Sequence, residues 1–251
     1  MIVAGPMSWS AQVFRYCERG SDPSFWAEPL NAVTNAAFIL AALFAAIALW
    51  RQRPPKPPLG ITILIALVFT IGVGSFLFHT FATRWAAQAD VIPIGLFMLA
   101  YLGYAIRVYL KLGWVWVLAG LAAFIGALRI ADGIQCPPGF LGLGSGGSCF
   151  NGTVGYVPAF LAMVGIGLVL QAKSHPAARY LLLAGAVFLI SMAFRTVDLE
   201  LCAHTRIAGT VVGTHFMWHL LNATTLYLLL MAAVRDGRAL TRDCHRSTSA
   251  S

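Results

Sequence analysis

The chain is poor in charge. Only 10% of its 251 residues are charged, and Asp and Glu together number nine. An ordinary soluble domain carries about 25% charge. That shortage excludes a water-soluble globule and a disordered chain, both of which need polar side chains to hold them in water. Cysteine is also scarce, at five, which excludes a small fold held together by disulfides. Residues 1–28 lack an apolar run and carry Arg15, Glu18, Arg19, Asp22 and Glu28. They read as an outer amino-terminal segment without a cleavable signal peptide.

Apolar residues fill the gap. They make up 59% of the chain and lie in long blocks separated by short polar joints. A bilayer core needs roughly 20 apolar residues per helix. The spacing predicts seven such spans, at about 31–50, 60–82, 89–109, 113–130, 152–172, 177–197 and 211–234. The blocks are too long and too uniformly apolar for β-barrel strands. The expected fold is therefore all-α: a polytopic seven-transmembrane-helix bundle over 29–235, followed by a cytoplasmic tail over 236–251. The joint RQRPPKPPL (51–59) reads as an extended basic turn.

The net charge is +8. With seven spans, 11 Lys and Arg fall on the side of the carboxyl terminus and six on the other. The positive-inside rule then puts the carboxyl terminus in the cytoplasm and the amino terminus outside, periplasmic or lumenal. Inner charge is 11 − 2 = +9 and outer charge 6 − 7 = −1. The basic balance thus reflects orientation and gives no reason to expect a nucleic-acid partner. Cys17, Cys136, Cys149 and Cys202 all fall outside, where disulfides form. Three pairings are possible; Cys136 with Cys149 inside one loop, and Cys17 with Cys202, is the preferred set. Asn151-Gly-Thr153 fits a glycosylation sequon, relevant only in a eukaryotic source.

Ionisable groups inside a membrane are costly and point to function. His79 lies near the outer end of the second span. His215 and His219, in GTHFMWHLLNA, lie near the outer end of the seventh. Their i, i+4 spacing puts both imidazoles on one helix face, so they can share a metal or instead bond to neighbouring helices. All three histidines sit at similar depth, and three imidazoles with an open fourth position suit catalytic zinc. Ser75, four residues before His79, shares its face. Asp90 opens the third span, where it would serve as a proton acceptor, a partner for a ligand histidine or a helix cap. Glu28, Asn31 and Asn35 share a face of the first helix and are read as structural. Arg195 and Asp198, at i, i+3, are expected to pair. Trp218, Phe76, Phe78 and Met217 are read mostly as packing, and Asn222 as a bond across helices. A haem protein with axial histidines is the less apt alternative, because His215 and His219 face the same way. A serine-protease reading fails, since GSF lacks the following Gly of a Ser motif and no Ser–His pair on separate helices is evident.

SxxxH in the second span, an Asp opening the third and HxxxH in the seventh resemble the alkaline ceramidase family. That family belongs to the hydrolase group that includes the adiponectin-receptor-like proteins. The amino-terminal stretch YCERGSDPSFWAEPLNAVTN resembles the ceramidase branch. The resemblance implies an intramembrane zinc amidase that cleaves ceramide-like membrane lipids to a sphingoid base and a free fatty acid. His79, His215 and His219 would be its ligands, with Ser75 and Asp90 beside the metal. It implies a Cys17–Cys202 disulfide and a calcium site whose ligands would include Glu18 and Glu28. Here the sequence departs from the family: Arg15 stands where an acid is expected and Gly20 where an Asn is expected. The expectation is that Arg15 replaces the cation by pairing with Glu18 or Glu28. The rival class is a zinc-bearing receptor or lipid-binding protein with little hydrolysis.

Overall fold

The computed structural model of the chain describes residues 8–52, 58–139 and 147–248, with 237–248 as backbone only. Parts of four expected segments fall outside these residues. They are 1–7 of the outer segment, 53–57 of the proline-rich joint, 140–146 of the long outer loop and 249–251 of the tail.

Seven helical segments among the described residues are long and apolar enough to cross a membrane. The chain is an integral, multi-pass membrane protein. The first span is broken into α1 (Pro29–Thr34) and α2 (Ala36–Trp50). At the break the Asn35 side-chain amide donates to the Asn31 carbonyl, a local bond that competes with the helix ladder. Next come α3 (Leu59–Phe81) and α4 (Arg84–Tyr104), the latter ending in a π-helical turn at Ala105–Tyr109. α5 is Trp114–Gly133. A small hairpin follows, with β1 (Gln135–Cys136) pairing antiparallel to β2 (Gly147–Ser148), and then a 3₁₀ segment at Cys149–Tyr156. α6 (Val157–Ala172) and α7 (Ala178–Thr196) lead to a second hairpin of β3 (Arg206–Ile207) and β4 (Thr210–Val211). α8 (His215–Thr248) ends the described chain and runs straight through the boundary expected at 235–236.

α4 starts five residues before the apolar run does. Thr83 is extended, and the Ala87 N–H reaches back to its carbonyl. Arg84 and Gln88 hide this first turn from a hydropathy reading. Asp90 therefore lies in the second turn of α4 and is not its cap, which corrects the expectation that it opens the helix.

α8 forms the centre of the bundle: 67% of its spanning window is buried, against 17% for α5 at the rim. It packs against α7 and α2, and α3 packs against α4 and α2. Apolar side chains such as Leu40, Phe44, Ile63, Phe69, Leu118 and Leu189 point outward, as a lipid-facing surface requires. Two disulfides, Cys17–Cys202 and Cys136–Cys149, bind segments between the spans, as the preferred pairing expected.

One close approach sets the α3–α4 geometry. Pro93 has no N–H, so the Ala89 carbonyl loses its helical donor. Gly74 of α3 lies against that carbonyl, and a Cβ there would overlap the Ala89 backbone. Gly74→Ala is expected to destabilise the fold by about 1–3 kcal/mol, read as a lower melting midpoint in detergent. Gly95→Ala, with open space around it, should leave the midpoint unchanged.

Candidate active site

Three elements bring the histidines together. His79 lies at the last turn of α3. His215 is the first residue of α8, and His219 is one turn on. All three are about 1% exposed, and one nitrogen from each falls within 4.8 Å of the others.

Their outer partners settle which nitrogens are available. The Glu28 carboxylate accepts from His79 Nδ1 at 2.5 Å, so the lone pair lies on Nε2, which is buried and without a partner. The Thr34 hydroxyl lies 3.0 Å from His219 Nδ1. Its own proton goes to the carbonyls of Leu30 and Asn31, so it accepts from Nδ1–H and leaves His219 Nε2 as the lone pair. His215 Nδ1 is buried without a partner. Two orphaned nitrogens among three converging imidazoles fit a divalent metal.

Glu28 is held in turn. Burial pushes its carboxyl up, but bonds and charge from His79 and Arg19 outweigh that and keep it below its ordinary value. Arg19 Nε donates to Glu28 Oε1 at 2.5 Å. Its other nitrogens donate to the carbonyls of Asp22, Ser24, His79 and Thr80. The guanidinium thus stands where several acceptor oxygens converge, and it joins the amino-terminal segment to the end of α3.

This corrects the expectation for Arg15, which is exposed and lines the cavity described below. Arg19 supplies the internal cation. Of the two carboxylates expected to bind calcium, Glu28 is taken by Arg19, His79 and Asn31. Glu18 accepts the backbone N–H groups of Leu30 and Asn31 at 2.8 Å each, which anchors the start of α1. Burial pushes the Glu18 carboxyl up, and those two bonds only partly offset it.

The expected Arg195–Asp198 pair is also replaced. Asp198 accepts N–H groups from Cys17, Thr214 and His215. It caps α8 at the residue where His215 begins, where the helix dipole favours a negative charge, and ties that cap to the Cys17–Cys202 bridge. Gly213 is left-handed (φ +65°), and a side chain there would strike Asp198 and Cys17. Arg195 instead donates to the Tyr16 hydroxyl at 3.2 Å. The Tyr16 ring stacks on His215 with centroids 3.7 Å apart.

Ser75 and Asp90 meet across the Gly74 contact: both are buried, and the Ser75 hydroxyl bonds to the Asp90 carboxylate. They share with His215, His219, Arg15, Tyr16, Trp218 and Arg195 a polar cavity of about 850 Å³. Ile71, Ile94, Tyr156 and Asn222 also border an apolar cavity of about 730 Å³, which runs deeper between α4, α6, α7 and α8.

Arg19, Thr34 and Tyr16 carry no helical-spacing signal that points to the site, and the spacing of Arg195 points to Asp198 rather than to the cavity. Thr34 falls one turn after Asn31 in α1. Arg19→Met is expected to cost about 3–5 kcal/mol, because it leaves a buried carboxylate unanswered. Arg15→Met should cost little, and calcium chelation should not move the melting midpoint. Glu28→Gln should weaken the affinity of the three-histidine group for an added divalent metal about 10–100-fold, measured by competition with a chromophoric chelator.

No curated protein matches the chain. The family model described as Ceramidase matches residues 14–236, a stretch that takes in Arg19, Glu28, Ser75, Asp90 and all three histidines. The chain belongs to the ceramidase family, hydrolases that act on amide bonds.

Proposed function

We propose that the protein is a zinc-dependent amidase that cleaves ceramide-type lipids within the membrane, releasing a sphingoid base and a fatty acid. The site would face the outer, periplasmic or lumenal, leaflet, with the carboxyl terminus in the cytoplasm. The observation that carries this reading is the joining of two compartments. His215 and His219 of the three-histidine group and the Ser75–Asp90 pair line one polar cavity, and that cavity shares walls with an apolar one. An amide lipid needs both, since the reacting carbonyl must meet polar groups while the tails stay in hydrocarbon.

His79, His215 and His219 would hold the metal. When bound, zinc polarises a carbonyl and lowers the pKa of water toward neutrality. Glu28 and Thr34 fix two of the rings by accepting their Nδ1 protons. Asp90 takes the proton of the attacking water and returns it to the leaving nitrogen, so that the amine departs neutral. The Ser75 hydroxyl has one proton to give. It donates to Asp90 while that group is ionised, and once Asp90 is protonated it can turn to the oxyanion of the tetrahedral intermediate. Trp218 and Tyr156 wall the cavity and limit water at the reacting carbon.

His219→Ala should lose both zinc and lipid hydrolysis. Asp90→Asn should keep zinc and its melting midpoint but lose turnover by about 100-fold or more, read by mass spectrometry of the released fatty acid. Undiminished hydrolysis by either variant would refute the assignment.

A further inference from the structure

The amidase reading leaves one buried charge without a task. Arg195, at the end of α7, is 9% exposed. It has no carboxylate within 4.0 Å among the described residues, and its Nε has no hydrogen-bond partner. Its two carboxylate neighbours act on it through charge and take their hydrogen bonds elsewhere: Asp90 takes the Ser75 hydroxyl, and Asp198 takes three backbone N–H groups. A guanidinium in such a place is costly unless something answers it.

Three rings answer it in part. The guanidinium carbon lies 5.8 Å from the Tyr16 ring centre, 5.4 Å from that of Tyr156 and 5.2 Å from that of Trp218. Such cation–π contacts steady the charge without consuming its N–H donors, so Arg195 is held in position and still able to bind. It lines the catalytic cavity and also a second one of about 610 Å³, toward Ser148, Asn151, Asp198 and Leu199. Arg15 lines both cavities too and has no ion pair among the described residues. Two cations therefore flank the place where a lipid's headgroup must lie if its amide reaches Asp90. A neutral hydroxyl headgroup would make poor use of the remaining N–H donors, whereas an oxyanion would accept charge-assisted bonds from a fixed guanidinium.

We infer that the substrate is an N-acyl lipid whose headgroup bears an oxyanion (phosphate, sulfonate or carboxylate), bound by Arg195 with help from Arg15. The inference rests on the amidase reading and names its substrate class. Arg195 is then a specificity-determining residue.

The test compares kcat/KM for an N-acyl sphingoid 1-phosphate, an N-acyl amino-acid lipid and neutral ceramide, using the zinc-loaded full chain in mixed micelles. At least one anionic substrate should exceed neutral ceramide by about tenfold or more, the effect of one charge-assisted hydrogen bond. Arg195→Gln should bring that ratio to about one, mainly through KM, and Arg195→Lys should restore part of it. A wild-type preference for neutral ceramide overturns the inference and leaves the amidase reading standing. An unchanged ratio in Arg195→Gln also overturns it. So does an effect of that variant confined to inhibition by the fatty-acid product, or competition by free inorganic phosphate as strong as that of the lipid. Binding of non-hydrolysable N-alkyl analogues to the wild-type protein separates the two readings. Tight, Arg195-dependent binding of the phosphorylated analogue with no turnover of any lipid keeps the headgroup site and sinks the amidase; equal binding of charged and neutral analogues sinks the headgroup site.

Discussion

Three imidazoles crowded into one buried space is the constraint on which the other features depend. Each ring could satisfy its polar atoms in water. Inside the bundle each needs a partner on one nitrogen and a use for the other. Glu28 and Thr34 supply the partners for His79 and His219, and both come from the break and first turns at α1. Glu28 then needs a cation, which Arg19 provides, and the rest of the Arg19 guanidinium needs acceptors, which the end of α3 and the loop at 22–24 provide. The amino-terminal segment is in this sense a clamp built around one histidine.

The other half of the site follows the same logic from α8. Its first residue is a candidate ligand, so its amino terminus must be fixed. Asp198 caps it, Gly213 lets the chain turn tightly enough for the cap, and the Cys17–Cys202 bridge joins that corner to the clamp. Tyr16 lies between the two halves, stacked on His215 and bonded to Arg195. Gly74 and Pro93 set the third wall, where Ser75 and Asp90 meet.

Much of this was legible in the sequence because helices impose a period. Ser75 and His79, and His215 and His219, are four apart, and the count of apolar blocks gave the number of spans. The family resemblance supplied the relation between those pieces. What stayed hidden depends on how non-helical chain folds back. Nothing in the spacing of Arg15 and Arg19 says which one reaches Glu28; that is decided by the turns at 16–20 and the bridge at Cys17. Arg195 and Asp198 look like an i, i+3 pair until the open N–H groups of α8 compete for the carboxylate and win with three bonds. The start of α4 was missed because Arg84 and Gln88 lower the hydropathy of a turn that is helical through its alanines.

The central claim is that the bundle presents three imidazole nitrogens to one metal ion. X-ray absorption at the zinc edge of the purified protein tests it most directly. The account predicts about one zinc per chain bound by three imidazole nitrogens at about 2.0–2.1 Å and one oxygen ligand, with zinc lost or its imidazole signal reduced in His219→Ala. Protein that takes up no zinc, or a spectrum that His219→Ala leaves unaltered, would contradict it.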